Sequence, residues 1–379
     1  MNKQEQEADS KTKIYEGRYD LTILFPVLFL VGIGIVMVYS ASSALALKKY
    51  GTDYYFLKKQ VMFAVTGIAV LIFCRHFSFR YYRCLAYPLL CTSFIFLGLI
   101  HISDFGYSAG GSTRWVHIYG FTFQPSELAR FAMIVYLAYS LSKKHERVKE
   151  FSVGFIPHIL MLSVFVGLII LQPDFGFAVI LTIITWVMLF VGGVPVLHLS
   201  TALIPLLPLA YFFMINAEYR IARLISFLDP WQYPTDEGYQ AIHSLMAFGT
   251  GGLSGAGIGK GYQKLFYLPE PHTDFIFSVV GEELGFMGCL FIICLYGIII
   301  VRGIIIAGKA ENYFGALLAA GITTTLGLQV CVNMGVTLGM LPTKGLTLPF
   351  LSYGGTSLLI SMACAGILMN KKATAHKTD

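Results

Sequence analysis

A few acids and cations stand out from a chain that is otherwise apolar. The stretch "LPEPHTDFIFSVVGEELGFMG" runs from Leu268 to Gly288, with Asp274 at the lip of an apolar segment and Glu282 and Glu283 inside it. "QPSELAR" opens another apolar segment with Glu127 and Arg130, and "LQPDFG" holds Asp174 at a Pro/Gly break. Arg114, Arg220, Arg223, Lys260, Lys264 and Lys344 lie in the polar stretches between such segments. A rigidly aimed carboxylate can take a proton from an attacking hydroxyl, and a group of cations can hold a pyrophosphate leaving group.

Each of these residues also has a plainer use. Pro269 and Pro271 stiffen the approach to Asp274, but Thr273 or Asp274 could simply cap the helix that follows. A helix N-terminus lowers a carboxylate's pKa, which weakens it as a base while keeping it ionised. Glu282 and Glu283 lie about 12–13 Å further along that helix and point about 100° apart. An ionisable group near mid-membrane costs at least about 2.5–3.5 kcal/mol, so such groups face a cavity or a partner. Arg130 needs a counter-charge, with Glu127 the local partner at i,i+3 and Glu282 or Glu283 the cross-bundle alternatives. Asp174 is either a turn acid or a cation or sugar ligand at a helix break.

The elements that must position these residues follow from composition. Hydrophobic residues make up 56% of the 379 and charged residues 13%, with mean hydropathy +0.69, where a soluble domain has about 25% charged residues. Apolar runs able to cross about 30 Å of hydrocarbon lie near 21–42, 60–75, 81–102, 125–142, 154–172, 175–192, 194–215, 275–301, 312–333 and 350–370. The expected fold is therefore all-α and polytopic, with ten transmembrane helices and both termini on one side. Lys and Arg concentrate in the segments on that side, which places the termini in the cytoplasm. The net charge of +6 reads as cytoplasmic loop charge and not as a nucleic-acid surface. Residues 1–20 read as a disordered cytoplasmic N-terminus, 21–370 as the membrane domain and 371–379 as a cytoplasmic tail. The seven cysteines fall in or beside apolar segments and read as buried, inert thiols.

The outer loops, 103–124, 216–274 and 334–349, carry nearly every informative polar residue, and 216–274 between the seventh and eighth spans is the largest. No ATP is present on that face, so a reaction there draws its energy from the substrate, as a lipid-linked pyrophosphate allows. "GTGGLSGAGIGKG" is not a phosphate loop: Ser254 stands where the first glycine belongs and Gly261 follows Lys260. It reads as a flexible or re-entrant loop. His243 and His272 are not at metal-ligand spacing, which argues against zinc. Pro342, Gly345, Pro349, Gly354 and Gly355 break the last apolar stretch, as in a site-bearing cavity.

Several of these motifs, "VMVYSAS", "QPSELAR", "QPDFG", "FLDPW", "QKLFYLPEPHTDFIFSVVGEELG" and "LPTKGLTLPFLSYGGTS", resemble the SEDS family (shape, elongation, division and sporulation), closest to its FtsW branch. The likeness covers roughly residues 20–370. It implies a ten-helix peptidoglycan glycosyltransferase of the bacterial cytoplasmic membrane that polymerises lipid II at the outer face. It further implies partnership with a class B penicillin-binding protein and other division proteins. The family's essential acid corresponds to Asp274, and its acid and cation in the fourth helix to Glu127 and Arg130, with Arg130 standing where Lys is usual. Candidate substrate contacts are Arg114, Glu127, Arg130, Asp174, Arg220, Arg223, Lys260, His272, Glu283 and Lys344. No cofactor is assigned; a divalent cation, Mg or Mn, is left open. Two other classes remain: a lipid II flippase, which needs a polar path to both faces, and a non-catalytic division scaffold, which would tolerate loss of Asp274.

Overall fold

The structure is a computed structural model that describes residues 19–100, 106–109, 112–118, 121–215, 218–236, 238–265 and 267–370. Residues 1–18 and the tail 371–379 lie outside the described residues. Helices α1 (Leu21–Tyr50), α2 (Tyr55–His76), α3 (Phe79–Leu99), α4 (Pro125–Lys143), α5 (Ile156–Leu171), α6 (Phe175–Val191) and α7 (Val196–Ile215) precede two short ones, α8 (Glu218–Leu228) and α9 (Tyr239–Gly251). The chain ends with α10 (Ile276–Lys309), α11 (Tyr313–Thr337) and α12 (Gly355–Leu368). Each of the ten apolar runs falls on one of α1–α7 and α10–α12. Six helical segments are long and apolar enough to cross a membrane: α1, α2, α3, α5 with its leading turn, α10 and α11.

Helix ends follow local chemistry. The Asp20 carboxylate accepts from the Thr22 amide at 3.2 Å to start α1, and Gly51, at φ +71°, ends it with Lys48 and Lys49 in the last turn. Asp20 also binds Arg302 of α10 at 2.8 Å, so this acid is held between two helices. Pro125 opens α4, where its missing N–H costs nothing.

The packing puts the most buried helices at the centre. α4 and α11 lie against each other and both touch α6, while α2 packs along α12, α10 along α11, α1 along α10, and α3 against α4. The end of the bundle remote from Asp20 is the mouth. There the 103–124 loop holds a small antiparallel meander, β1 (Gly106–Ala109), β2 (Ser112–Ile118) and β3 (Phe121–Phe123), paired in that order. Alternation along β2 puts Arg114 and the buried Val116 on one face. The 216–274 segment likewise contains α8 and α9. The thiols divide: Cys74, Cys289 and Cys364 are buried, whereas Cys84, Cys91, Cys294 and Cys331 are exposed. The expectation that all seven are buried is corrected, because in a bundle the solvent of the outward face is hydrocarbon and an apolar thiol is equally suited to it.

One break decides how the mouth is built. α10 is interrupted at Gly285, whose φ of +67° and ψ of −166° lie outside the helical region. The backbone groups released there are taken up by the glycine-rich loop after α9. Ala256 and Gly257 donate to the Glu282 and Glu283 carbonyls at 2.9 and 3.0 Å, and Phe286 donates to the Gly252 carbonyl at 2.9 Å. The loop thus pairs with the break, which keeps buried polar backbone satisfied. A methyl group at Gly285 would sit 2.3 Å from the Gly255 nitrogen. Gly285→Ala is therefore expected to destabilise the protein by about 1–3 kcal/mol or more, read as a lower thermal midpoint of the purified chain.

Candidate active site

Asp274 lies between the last loop turn and the first turn of α10, at the mouth. Its backbone is tied from behind: Asn333 of α11 donates through Nδ2 to the Asp274 carbonyl at 2.9 Å and to the Leu346 carbonyl at 2.5 Å. The carboxylate is pressed against Gly345, where an added Cβ would come within 2.7 Å of Oδ2. The 338–354 segment that supplies Gly345 is irregular yet buried at Leu346, Leu348, Phe350 and Leu351. Tyr296 donates its hydroxyl to the Pro349 carbonyl, and Ser352 Oγ accepts from the Leu348 amide at 2.8 Å. Non-helical backbone is tolerated here because protein surrounds it.

The same segment brings Lys344 into the site. Its side chain lies over the start of α6, where a Cβ at Gly176 would meet Cε at 2.0 Å and Nζ at 2.5 Å. The Nζ is buried without a hydrogen-bond partner among the described residues, in the field of Asp174, Arg114, Arg130 and Glu127. Asp174 caps α6, accepting from the Phe177 amide at 3.2 Å, and pairs with Arg114 of β2 at 3.3 Å. Deeper, Arg130 of α4 is ion-paired to Glu127. With the Gln329 amide turned so that its oxygen faces the guanidinium, Gln329 accepts from Arg130 at 2.7 and 3.1 Å. Arg130 is 1% exposed and Glu127 3%.

Electrostatics separates the reactive groups from the structural ones. Burial pushes the Asp274 carboxyl up to about 7; Glu270 and Asp174 add to the rise and Arg114 and Lys344 oppose it. Burial pushes the Lys344 ammonium down to about 8, against the pull of Asp174. A base poised near neutrality beside under-paired cations is suited to deprotonating a hydroxyl next to a departing anion. Among the described residues, no three His, Cys, Asp or Glu side chains gather as metal ligands. Asp174 is engaged by Arg114 and the α6 amide.

Asp274, Arg114, Glu127, Arg130, Asp174 and Lys344 therefore share one charge cluster, and the remaining candidates lie elsewhere. His272 is buried between Phe56 and Tyr353, with ring centroids at 4.5 and 5.5 Å. Burial lowers its pKa to about 4, with Lys49 adding to the effect, so the ring is neutral at neutral pH. Glu283 bonds Lys264 at 2.5 Å and Ser40 at 2.7 Å and not Arg130, whose partner is the nearer Glu127. Lys260 is exposed in the glycine-rich loop, and Arg223 is exposed on α8. Arg220 belongs to α8, with its side chain outside the described residues. Sequence reasoning missed Gln329 and Asn333; two amides four residues apart on one face of an apolar helix were the available signal. An apolar groove of about 450 Å³ also opens on the bundle surface between α1 and the α10 break, lined by Phe25, Phe29, Gly32, Met37, Ile258 and Leu284, among others.

The FtsW/RodA/SpoVE sequence model, described as "Cell cycle protein", matches residues 21–377. The chain belongs to this family. Among FtsW/RodA/SpoVE relatives, the probable peptidoglycan glycosyltransferase FtsW of Geobacter metallireducens is 46% identical over 353 residues, covering 93% of this chain and 94% of that one. Stage V sporulation protein E of Bacillus subtilis is 40% identical, covering 93% and 96%. A solved chain from a peptidoglycan synthase complex that coordinates polymerization and crosslinking matches with TM-score 0.77 at 30% identity, over 94% of this chain and 98% of that one. RodA of Thermus thermophilus matches with TM-score 0.68 at 28% identity, over 95% and 99%. The family membership makes this a multi-pass membrane protein. In such a fold Glu127→Ala leaves Arg130 buried without a counter-charge within ion-pair distance among the described residues, with Gln329 as its hydrogen-bond partner. The expected cost is on the order of 3 kcal/mol, measured as a fall in thermal midpoint in detergent.

Proposed function

We propose that the chain is a peptidoglycan glycosyltransferase that polymerises lipid II on the outer face of the cytoplasmic membrane during septal wall synthesis. Ten helices cross the bilayer, the termini face the cytoplasm, and the 216–274 segment between α7 and α10 lies outside. The carrying observation is Asp274, lodged against Gly345 within the field of Lys344, Arg114 and Asp174. Its carboxylate accepts the proton from the 4-hydroxyl of an acceptor GlcNAc. That oxygen forms a bond to the anomeric carbon of the donor MurNAc as the bond from that carbon to the pyrophosphate oxygen breaks. The configuration inverts, and undecaprenyl pyrophosphate leaves with its bonding electron pair. Lys344 and Arg114 neutralise the growing charge, and no step is routed through a metal ion. The apolar groove beside α1 suits a polyprenyl chain in both lining and exposure to the bilayer. Crosslinking of the product falls to a class B penicillin-binding protein partner, a reading supported by the likeness to a chain of a peptidoglycan synthase complex.

The burial pattern weighs against a flippase. Below Arg130, α4 continues through Ala132, Met133, Ile134, Val135, Leu137 and Ala138, all fully buried and apolar. Among the described residues, the polar cluster around Arg130 does not continue through these six.

Purified protein supplied with labelled lipid II tests the assignment. Asp274→Asn is expected to lower polymer formation by about 10²–10⁴-fold; a folded variant that polymerises at the wild-type rate refutes the base. Because the Asp274 carboxyl sits near 7, wild-type activity should rise as pH increases through about 7, and it should fall above about 8 as Lys344 loses its proton. Folding stability runs the other way on the acid side. The folded-state value lies above the usual 3.8, so the stability associated with protonated Asp274 is full below that value and is lost as pH rises through about 7.

A further inference from the structure

Lys264 and Glu283 form a second buried charge site, separate from the cluster around Asp274. Glu283 is 1% exposed and Lys264 7%. Lys264 donates to Glu283 Oε1 at 2.5 Å and to Ser40 Oγ at 2.8 Å. Ser40 donates to Glu283 at 2.7 Å, and the Gly259 amide donates to Oε2 at 3.1 Å. Glu282, next along the helix, accepts from the amides of Tyr262 and Gln263 at 2.6 and 3.1 Å. Every acceptor of this pair of carboxylates is therefore directed at one loop or at α1.

The chain path gives the pairing its meaning. Asp274 lies ten residues after Lys264 and nine before Glu283. The ion pair thus closes the base of a loop that carries Asp274 near its middle, with the first turns of α10 as its returning limb. The Gly285 break just beyond Glu283 would leave that limb free to tilt, and the loop pairing at Ala256, Gly257 and Phe286 holds it on one side. Ser40 anchors the same point to α1, 243 residues away in sequence.

We infer that Lys264 and Glu283 are positioning residues: their ion pair, anchored by Ser40, clips the loop base and sets where the Asp274 carboxylate stands against Gly345 and Lys344. This rests on Asp274 being the base. Neither residue touches the reacting atoms. Their loss should act on the chemical step and leave substrate binding, which uses Arg114 and Lys344, in place.

The test uses the full-length chain in detergent with labelled lipid II. The double variant Lys264→Met/Glu283→Gln removes both charges together, so no lone buried ion remains. Its kcat is expected to fall about 100-fold, the scale of a misplacement of about 1 Å, with KM within about twofold of wild type. Lys264→Arg should restore most of kcat. Ser40→Ala, which keeps both charges, should lower kcat in the same sense and decides the matter if the double variant does not fold. A folded double variant, or Ser40→Ala, with wild-type kcat overturns the inference. A loss carried by KM also overturns it, since Lys264 or Glu283 would then touch substrate directly. The base assignment fails separately, through an active Asp274→Asn.

Discussion

A charge removed from water must meet an opposite charge or several hydrogen bonds, because the penalty for leaving it alone is several kcal/mol per ion. Much of the architecture at the mouth follows from that constraint. Arg130 sits at the centre of the bundle only because Glu127, one turn earlier, and Gln329, on the facing helix, both reach it. Glu283 and Glu282 are admitted to α10 because the glycine-rich loop supplies amides and Lys264 supplies a cation. Where the pairing is complete, the residues hold helices together. Where it is incomplete, at Asp274 and Lys344, the groups are left with displaced proton affinities and free capacity. Under-pairing is what distinguishes a reactive carboxylate from a structural one in this fold.

The backbone obeys the same constraint in another form. α10 breaks at Gly285 and the chain between α11 and α12 is irregular, yet the Glu282 and Glu283 carbonyls and the Phe286 and Met287 amides at the break find partners in the glycine-rich loop. The glycines at 251, 255 and 285 allow this. A side chain at any of them would collide with a carbonyl or amide of the facing segment, α10 or the loop, at 1.9–2.3 Å. The glycine-rich loop that resembles a phosphate loop in composition thus serves as the partner of a broken helix, with its Ala256 and Gly257 amides directed at α10 carbonyls and its Gly259 amide at the Glu283 carboxylate.

Activity and stability pull on Asp274 in opposite directions. Burial that lifts its pKa toward neutrality makes it a better base and also makes its ionised form costly to the folded state. The surrounding frame offsets that cost: Asn333 holds the Asp274 carbonyl, and Gly345 and Gly176 leave room for the carboxylate and for the Lys344 stem. These glycines and amides carry no chemistry themselves, and their contribution is visible only from what they touch.

The ten apolar runs, the Pro/Gly helix break at Asp174 and the i,i+3 pair of Glu127 and Arg130 were all legible in the sequence. Each depends on neighbours within a turn or on the length of an apolar stretch, and such relations survive in one dimension. The small sheet bearing Arg114 was not, since its strands are short and its pairing competes with ordinary loop conformations. Nor was the division of the acids. From sequence, Glu127 was the local candidate for Arg130 while Glu282 and Glu283 stayed open as cross-bundle alternatives, because attraction between charges carries no label. Packing resolved it: α4 and α11 enclose one pair, while Lys264 and Ser40 converge on the other. The contact of Lys344 with Gly176 and of Gly345 with Asp274 joins segments 70 or more residues apart. Sequence therefore determined which groups must find partners, and tertiary structure alone decided which partners they found, because that choice depends on distances set by how whole helices pack.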